Sequence, residues 1–312
     1  FNSQTPVHLS PKSNDSDTCY IGLMSGTSMD GIDAALVSFP APGSAILHDR
    51  NHTPYSPGLR SALETLIRPD WRGPLSTVAT IDQQLGHAFA EAANTLIRRN
   101  PDKTIKAIGS HGQTVFHDPI SEWPTSWQLG DPNTVAEKTG ARVVSDFRRR
   151  DVAAGGQGAP LAPGFHHYLF GTTNSAILNL GGIANLTLFD PDSGTTTGFD
   201  TGPANTLMDG WSKRHIDSDF DHNGEWARQG QLIETLLANM LSDDYFNKRP
   251  PKSTGREHFN MAWLDSHLRA SGNNDRPEDV QRTLCELTVR SIVNALQTHS
   301  RHNTPKQLLL CG

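Results

Sequence analysis

The chain is poor in cysteine, and the three it has are scattered. Cys19, Cys285 and Cys311 form no CxxC pair, which argues against a zinc knuckle or a disulfide framework and fits a reducing cytosol. Long apolar runs are missing too. Nothing approaches the ~18 residues that a membrane span needs, so no membrane partner is expected. Basic runs are equally short. The net charge is -6, and the best basic cluster is Arg148-Arg149-Arg150. That is too brief for the basic stripe of a nucleic-acid binder. Residues 1–18 lack the basic-then-apolar order of a signal peptide and read as a loose extension, so 1–19 is set apart from the folded part. The GxxxxGK[ST] spacing and its lysine are also absent, which rules out a P-loop. The chain opens on Phe1 rather than Met and closes on Cys311-Gly312. Both ends therefore read as cut from a longer protein.

What is present is enough for two domains. A chain of 312 residues exceeds one ordinary core, and a hydrophobic content of 35% marks it as globular. Residues 20–24 and 32–39 are apolar runs flanking a Gly/Ser/Thr turn, which predicts a hairpin. Ser56-Pro57 opens a helix, and a longer one is expected over 77–99, with Val78, Ile81, Leu85, Phe89 and Leu96 near one face. Residues 105–109 predict a strand that opens onto Ser110-His111-Gly112-Gln113-Thr114. A short helix at 134–139, stopped by Gly140, precedes a strand at 141–145. Gly155, Gly156, Gly158, Pro160 and Pro163 mark a boundary loop. The expected domains are 20–150 and 151–312, the second cut short. Beyond the loop, 176–180 and 186–189 predict a second hairpin around Gly181-Gly182. Helices follow at 225–241, 261–270 and 277–300, and a strand begins at 307. The two hairpins, at 21–37 and 177–189, echo one another and suggest a duplicated half.

Four segments could carry chemistry. Residues 22–33 place three glycines and three hydroxyl residues in one turn. Glycine permits close approach and positive φ, so successive backbone N–H groups could point inward as an anion nest, with Ser25, Thr27 and Ser28 adding donors. Asp30 would repel a phosphate directly, but beside phosphates it makes sense as a partner of Mg2+, directly or through water. Asp33 closes the segment. The plainer alternative is a glycine hairpin with no ligand. Gly181 and Gly182 form a weaker second turn of the same type, for which a structural hairpin is the simpler reading. Asp200, in Gly198-Phe199-Asp200-Thr201-Gly202-Pro203, stands at a strand end where the chain must turn. A carboxylate there can orient and deprotonate a nucleophile, or it can simply cap the helix that follows from Asn205. Arg148, Arg149 and Arg150 could hold an anionic substrate group with their planar forks, or pair with the neighbouring aspartates. His111 and Gln113 suit sugar-hydroxyl contacts. His117, His166 and His167 complete no metal constellation.

Taken together, segments 22–33, 108–117, 145–163, 177–185, 198–205 and 252–260 resemble the anhydro-N-acetylmuramic acid kinase family. The match covers nearly everything from Tyr20 to Gly312 in the right order. The resemblance implies an α/β fold of two RNase H-like domains, of the actin/hexokinase/Hsp70 kind, with a central interdomain cleft that binds ATP. It implies that 26–33, with Gly181 and Gly182, hold the ATP phosphates. Asp200 would be the catalytic base, and Mg2+ would be met at Asp30. His111, Gln113, Arg148, Arg149, Arg150 and Asn205 would contact the substrate, 1,6-anhydro-N-acetylmuramic acid from murein recycling. The product would be N-acetylmuramic acid 6-phosphate, made in the cytoplasm. A homodimer is left open. The family pattern continues past its last strand with a glycine-rich adenosine-side segment and a closing helical region, so the chain is expected to run on beyond Gly312. Three rivals stand beside this reading: another sugar or carboxylate kinase of the same fold, an ATP-independent anhydro-sugar hydrolase, and a non-catalytic actin-like scaffold.

Overall fold

The computed structural model describes residues 18–26, 29–171, 173–190, 193–271, 275–300 and 305–312. It divides into two compact units, 1–158 and 159–312, that meet inside the Gly/Pro loop. The expected loose extension lies outside the described residues, apart from Thr18 and Cys19.

The first unit contains β1 (Thr18–Ser25), β2 (Gly31–Ser38), β3 (Ile46–Pro54), α1 (Pro57–Leu66), α2 (Leu75–Arg99), β4 (Thr104–Asp118), β5 (Thr125–Leu129), α3 (Pro132–Thr139), β6 (Val143–Ser145) and α4 (Phe147–Ala153). Its sheet runs β3-β2-β1-β4-β5, with β6 also on β4. Strands β1, β2 and β3 are antiparallel, while β1 and β4 are parallel. The strands form because their apolar residues alternate: Ile21 and Leu23 of β1 and Ile32, Ala34 and Leu36 of β2 are all buried. They pack on α2, whose Val78, Ile81, Leu85, Phe89 and Leu96 line one helical face. The shorter helices start and stop where capping residues allow. Ser56 accepts from Leu59 N at the head of α1. Gly140, at φ 68, ends α3 in the left-handed conformation that glycine tolerates best.

The second unit contains α5 (Ala162–Phe170), β7 (Ser175–Leu180), β8 (Ile183–Asp190), β9 (Thr195–Pro203), α6 (Asn205–Ile216), α7 (Glu234–Leu241), α8 (Asp244–Asn247), α9 (Met261–Ser271), α10 (Pro277–His299) and β10 (Gln307–Cys311). Its sheet runs β10-β7-β8-β9. Here too the first three strands are antiparallel, and the fourth lies parallel to the first. Each unit therefore has the order third-second-first-fourth, the duplication suggested by the two glycine hairpins. Two sheets of one topology, each with helical cover, make the fold α/β of the RNase H-like kind. The sheet core (Ala176, Leu178, Leu186, Phe199) packs against Ile292 and Ala295 of α10. A second cluster joins α6, α7, α9 and α10 through Leu207, Leu236, Leu264 and Leu284.

Three sequence expectations change. Residues 110–114 are not a loop after a strand: β4 continues to Asp118, because its second half pairs with β5 from Gln113↔Leu129 to Asp118↔Thr125. The helix expected over 225–241 begins only at Glu234. Asp221 accepts from Trp226 N and Ala227 N at 2.9 Å each, tying the earlier stretch into short 3-10 turns. Asp200 caps no helix. It lies within β9, and Ala204 occupies the capping position of α6. No helix among the described residues is long and apolar enough to cross a membrane.

Candidate active site

In the first unit, the β1–β2 turn is fixed from beneath by Gln113. Thr27 and Ser28 lie outside the described residues. Around them, Met29 N donates to Gly26 O at 3.3 Å, and Tyr55 N donates to Asp30 O at 3.2 Å. Met29 is buried, with φ 52, a conformation that non-glycine residues seldom adopt. Gln113 is 1% exposed. Its Nε2 donates to Gly26 O and to Thr114 O, each at 3.2 Å. Those two carbonyls fix the amide orientation, so Oε1 is the acceptor for Ser25 Oγ at 2.7 Å and Tyr55 Oη at 3.4 Å. Ser25 has one hydroxyl proton to share between that oxygen and Gly31 O, also at 2.7 Å. Burial pushes the Tyr55 phenol up to about 12, and the charge of Asp30 adds to the effect, so Tyr55 remains a neutral donor.

Gly26, Met29, Asp30, Gly31 and Gln113 are thus brought together. Ile32 is buried in β2, while Asp33 is exposed and meets His52 Nδ1 at 2.9 Å. Asp30 is also exposed. Among the described residues, no three His, Cys, Asp or Glu side chains converge as a metal cage. The carboxylates of the turn segment itself are Asp30 and Asp33, and one or two carboxylates beside phosphates and several waters are what magnesium takes.

His111 and Arg148 form a separate cluster. Arg148 Nε donates to His111 Nε2 at 2.8 Å, and Arg148 Nη1 donates to Gly158 O at 2.7 Å. Arginine cannot accept, so the imidazole proton sits on Nδ1, which donates to Gly112 O at 2.8 Å. Burial and then the charge of Arg148 hold the His111 pKa below its ordinary value. Arg149 turns back to Asp146 at 2.7 Å. It lines a shallow hollow with Ser145, Asp146 and the exposed Arg150.

In the second unit, Asp200 is 9% exposed and is gripped at three points. Its N–H donates to Lys252 O at 3.1 Å. Its backbone oxygen accepts from Tyr245 Oη at 2.8 Å, and its Oδ2 accepts from Thr254 N at 2.9 Å. Two residues further along β9 is Gly202, at φ 154, where a side chain would collide with Phe246. A carboxylate held this way can take a proton from a fixed direction. Gly181 and Gly182 join Asn205 rather than Asp200. Their carbonyls accept from the N–H groups of Ala204, Asn205 and Thr206 at 3.0–3.1 Å, and Asn205 Nδ2 donates to Leu180 O at 3.2 Å.

Residues 18–312 match the family described as anhydro-N-acetylmuramic acid kinase. The chain belongs to that family. The relative of that name from Sulfurovum sp. (strain NBC37-1) is 47% identical over 297 residues, covering 94% of this chain and 80% of the relative. Its counterpart from Xylella fastidiosa (strain Temecula1 / ATCC 700964) is 47% identical over 315 residues, covering 98% and 81%. A ROK hexokinase from Thermus thermophilus is a distant structural neighbour, with a TM-score of 0.36 and 16% identity over 94% of this chain and 81% of that one. Membership of a kinase family implies that ATP and a sugar are the substrates.

Sequence reasoning missed Tyr55 beneath the first turn and Tyr245 beside Asp200; it counted Ser25 among the hydroxyl residues of the turn and took Lys252 and Thr254 into the family match, but gave none of the three its bracing role. The signal for the last two was the Lys-Ser-Thr-Gly run at 252–255. The brace beneath the first turn gives a direct expectation. Gln113→Leu strips Gly26 O of its side-chain donor and leaves buried polar groups without it, a cost of about 1–3 kcal/mol. The protein should stay folded and bind ATP about tenfold more weakly by calorimetric titration. Unchanged affinity would show that the turn does not depend on Gln113.

Proposed function

We propose that this protein is an ATP-dependent kinase that opens 1,6-anhydro-N-acetylmuramic acid with water and phosphorylates O6, giving N-acetylmuramic acid 6-phosphate in murein recycling. The observation that carries the reading is Asp200: a buried carboxylate, fixed through its own oxygen and both backbone groups, in a chain that belongs to this kinase family. O6 of the substrate is locked in the anhydro bridge, so no free hydroxyl is available to phosphorylate. Asp200 takes a proton from water, and the water oxygen bonds to C1. The C1–O6 bond breaks, the O6 electron pair forms the new bond to the γ-phosphorus, and ADP leaves. The turn at Gly26–Gly31 holds phosphate in the first unit, and Gly181 and Gly182 are the corresponding glycine turn of the second. Asp30 would meet magnesium, directly or through water, and the ion would supply neutralising charge to the phosphates. Arg148, Arg149 and Arg150 are the cations available for the lactyl carboxylate. Arg150 is the most open of them, since Arg148 is committed to His111 and Gly158, and Arg149 to Asp146. The enzyme works in the cytoplasm, where ATP is plentiful and its three cysteines stay thiols. A homodimer is the first assembly to test.

The deciding experiment supplies the anhydro sugar, Mg-ATP and isotopically labelled water, then weighs the product. One added phosphoryl group and one labelled oxygen at C1 are expected. Product formation without ATP consumption would identify a hydrolase instead.

A further inference from the structure

We propose that Lys252 is a positioning residue for Asp200, holding the strap that fixes the carboxylate and placing a buried positive charge beside it. The proposal rests on Asp200 acting as the base, as set out above.

Lys252 is 6% exposed, so its ammonium group is out of water. A buried ammonium is costly unless other groups compensate it. Among the described residues, no carboxylate lies within ion-pair distance of Nζ. Instead Nζ donates to Tyr245 O at 3.2 Å and Phe246 O at 3.4 Å, and it lies 4.6 Å from the centre of the Tyr245 ring. These contacts tie the 252–254 segment to α8. That segment and α8 together make every named grip on Asp200: Lys252 O on its N–H, Tyr245 Oη on its oxygen, and Thr254 N on its carboxylate. Lys252 therefore joins the two elements that hold the base.

Its charge acts in the same place. Burial, then the neighbouring cation Lys248, hold the Lys252 pKa below its ordinary value, while the negative charge of Asp200 works the other way and favours the ammonium. Burial, then Asp200 and Glu257, push the Tyr245 phenol upward, so it stays a neutral donor. Opposite Asp200, β8 presents the neutral Asn185, and α10 presents the neutral Ser291 at Gly202. Lys252, Lys248, Tyr245 and Glu257 bear on this corner by charge, and His258, paired with Asp243, stands with its ring 5.9 Å from that of Tyr245. An amine kept dry among carbonyls beside a base is the kind of perturbed group that gathers at working sites. A purely structural lysine would need no such neighbour.

The test replaces charge and shape separately. Lys252→Met keeps the length and removes the cation. Without it the Asp200 carboxyl loses a charge that favours ionisation. The acid limb of the turnover-against-pH profile should move to higher pH by about one unit, and kcat should fall up to about a hundredfold as the strap loosens. The KM for ATP should not change. Lys252→Arg restores the charge and should return the limb to its wild-type position, whatever its kcat. Folding is checked by circular dichroism and melting. A folded Lys252→Met protein with a wild-type pH limb overturns the proposal. Should that variant fail to fold, Tyr245→Phe decides: lower kcat at unchanged ATP KM supports the strap, and wild-type kcat overturns it. A wild-type enzyme that does not consume ATP would instead sink the kinase reading itself, so the two failures are distinct.

Discussion

Asp200→Asn should lower turnover by about 10²–10⁴-fold while leaving ATP binding intact. The range is the ordinary contribution of a positioned general base. The substitution is close to isosteric. An asparagine oxygen can still accept from Thr254 N, and the grips of Lys252 and Tyr245 fall on backbone atoms that do not change. The variant should therefore fold with its corner in place and lack only the capacity to take a proton. Steady-state kinetics give the loss, and titration with ATP shows that the first unit is unaffected. Turnover within tenfold of wild type would remove Asp200 from its role.

Phe199→Ala should be the most damaging single change to the fold of the second unit. Phe199 precedes Asp200 on β9, and its ring is wholly buried among Ala176, Leu178, Leu186 and Ile292. It meets the His299 ring edge-on, with centroids 5.2 Å apart. Truncation removes the buried surface and leaves a cavity between the sheet and α10, which pack on one another here. The expected cost is about 3–5 kcal/mol, a large share of the ~5–15 kcal/mol that holds a typical domain. Urea unfolding reads this as a fall in midpoint at an unchanged slope. A loss under about 1 kcal/mol would mean that β9 repacks freely.

Elements with a clear period were legible in the sequence. The β1–β2 hairpin, α2 and α10 follow from apolar spacing alone, and α3 from its terminal Gly140. Strand β3 was not, because Ile46–Pro54 is a polar edge (Leu47-His48-Asp49-Arg50-Asn51-His52) whose place is set by pairing with β2 rather than by burial. The second half of β4 was hidden for a related reason: it follows on from His111 and Gln113, polar residues whose partners Arg148, Ser25, Tyr55 and Gly26 lie far along the chain.

The candidate site divides in the same way. Its segments stood out, because glycine clusters and an aspartate in a tight turn are local signals. What each side chain does was less visible. His111 and Gln113 lie two residues apart and suggested one sugar-binding surface. The structure gives them different companions, Arg148 and Gly112 for one, Ser25, Tyr55 and Gly26 for the other. The hold on Asp200 comes from residues 45 to 54 positions away, a separation no spacing rule reports.

The seam between Gly181-Gly182 and α6 has a mechanical consequence. Three successive N–H groups at the head of the helix are spent on the two glycine carbonyls, so the turn cannot flex independently of the twelve-residue helix behind it. A push on those glycines is a push on the end of a rod. Movement there would be a lever's tilt, carried the length of α6, instead of the give of a soft loop.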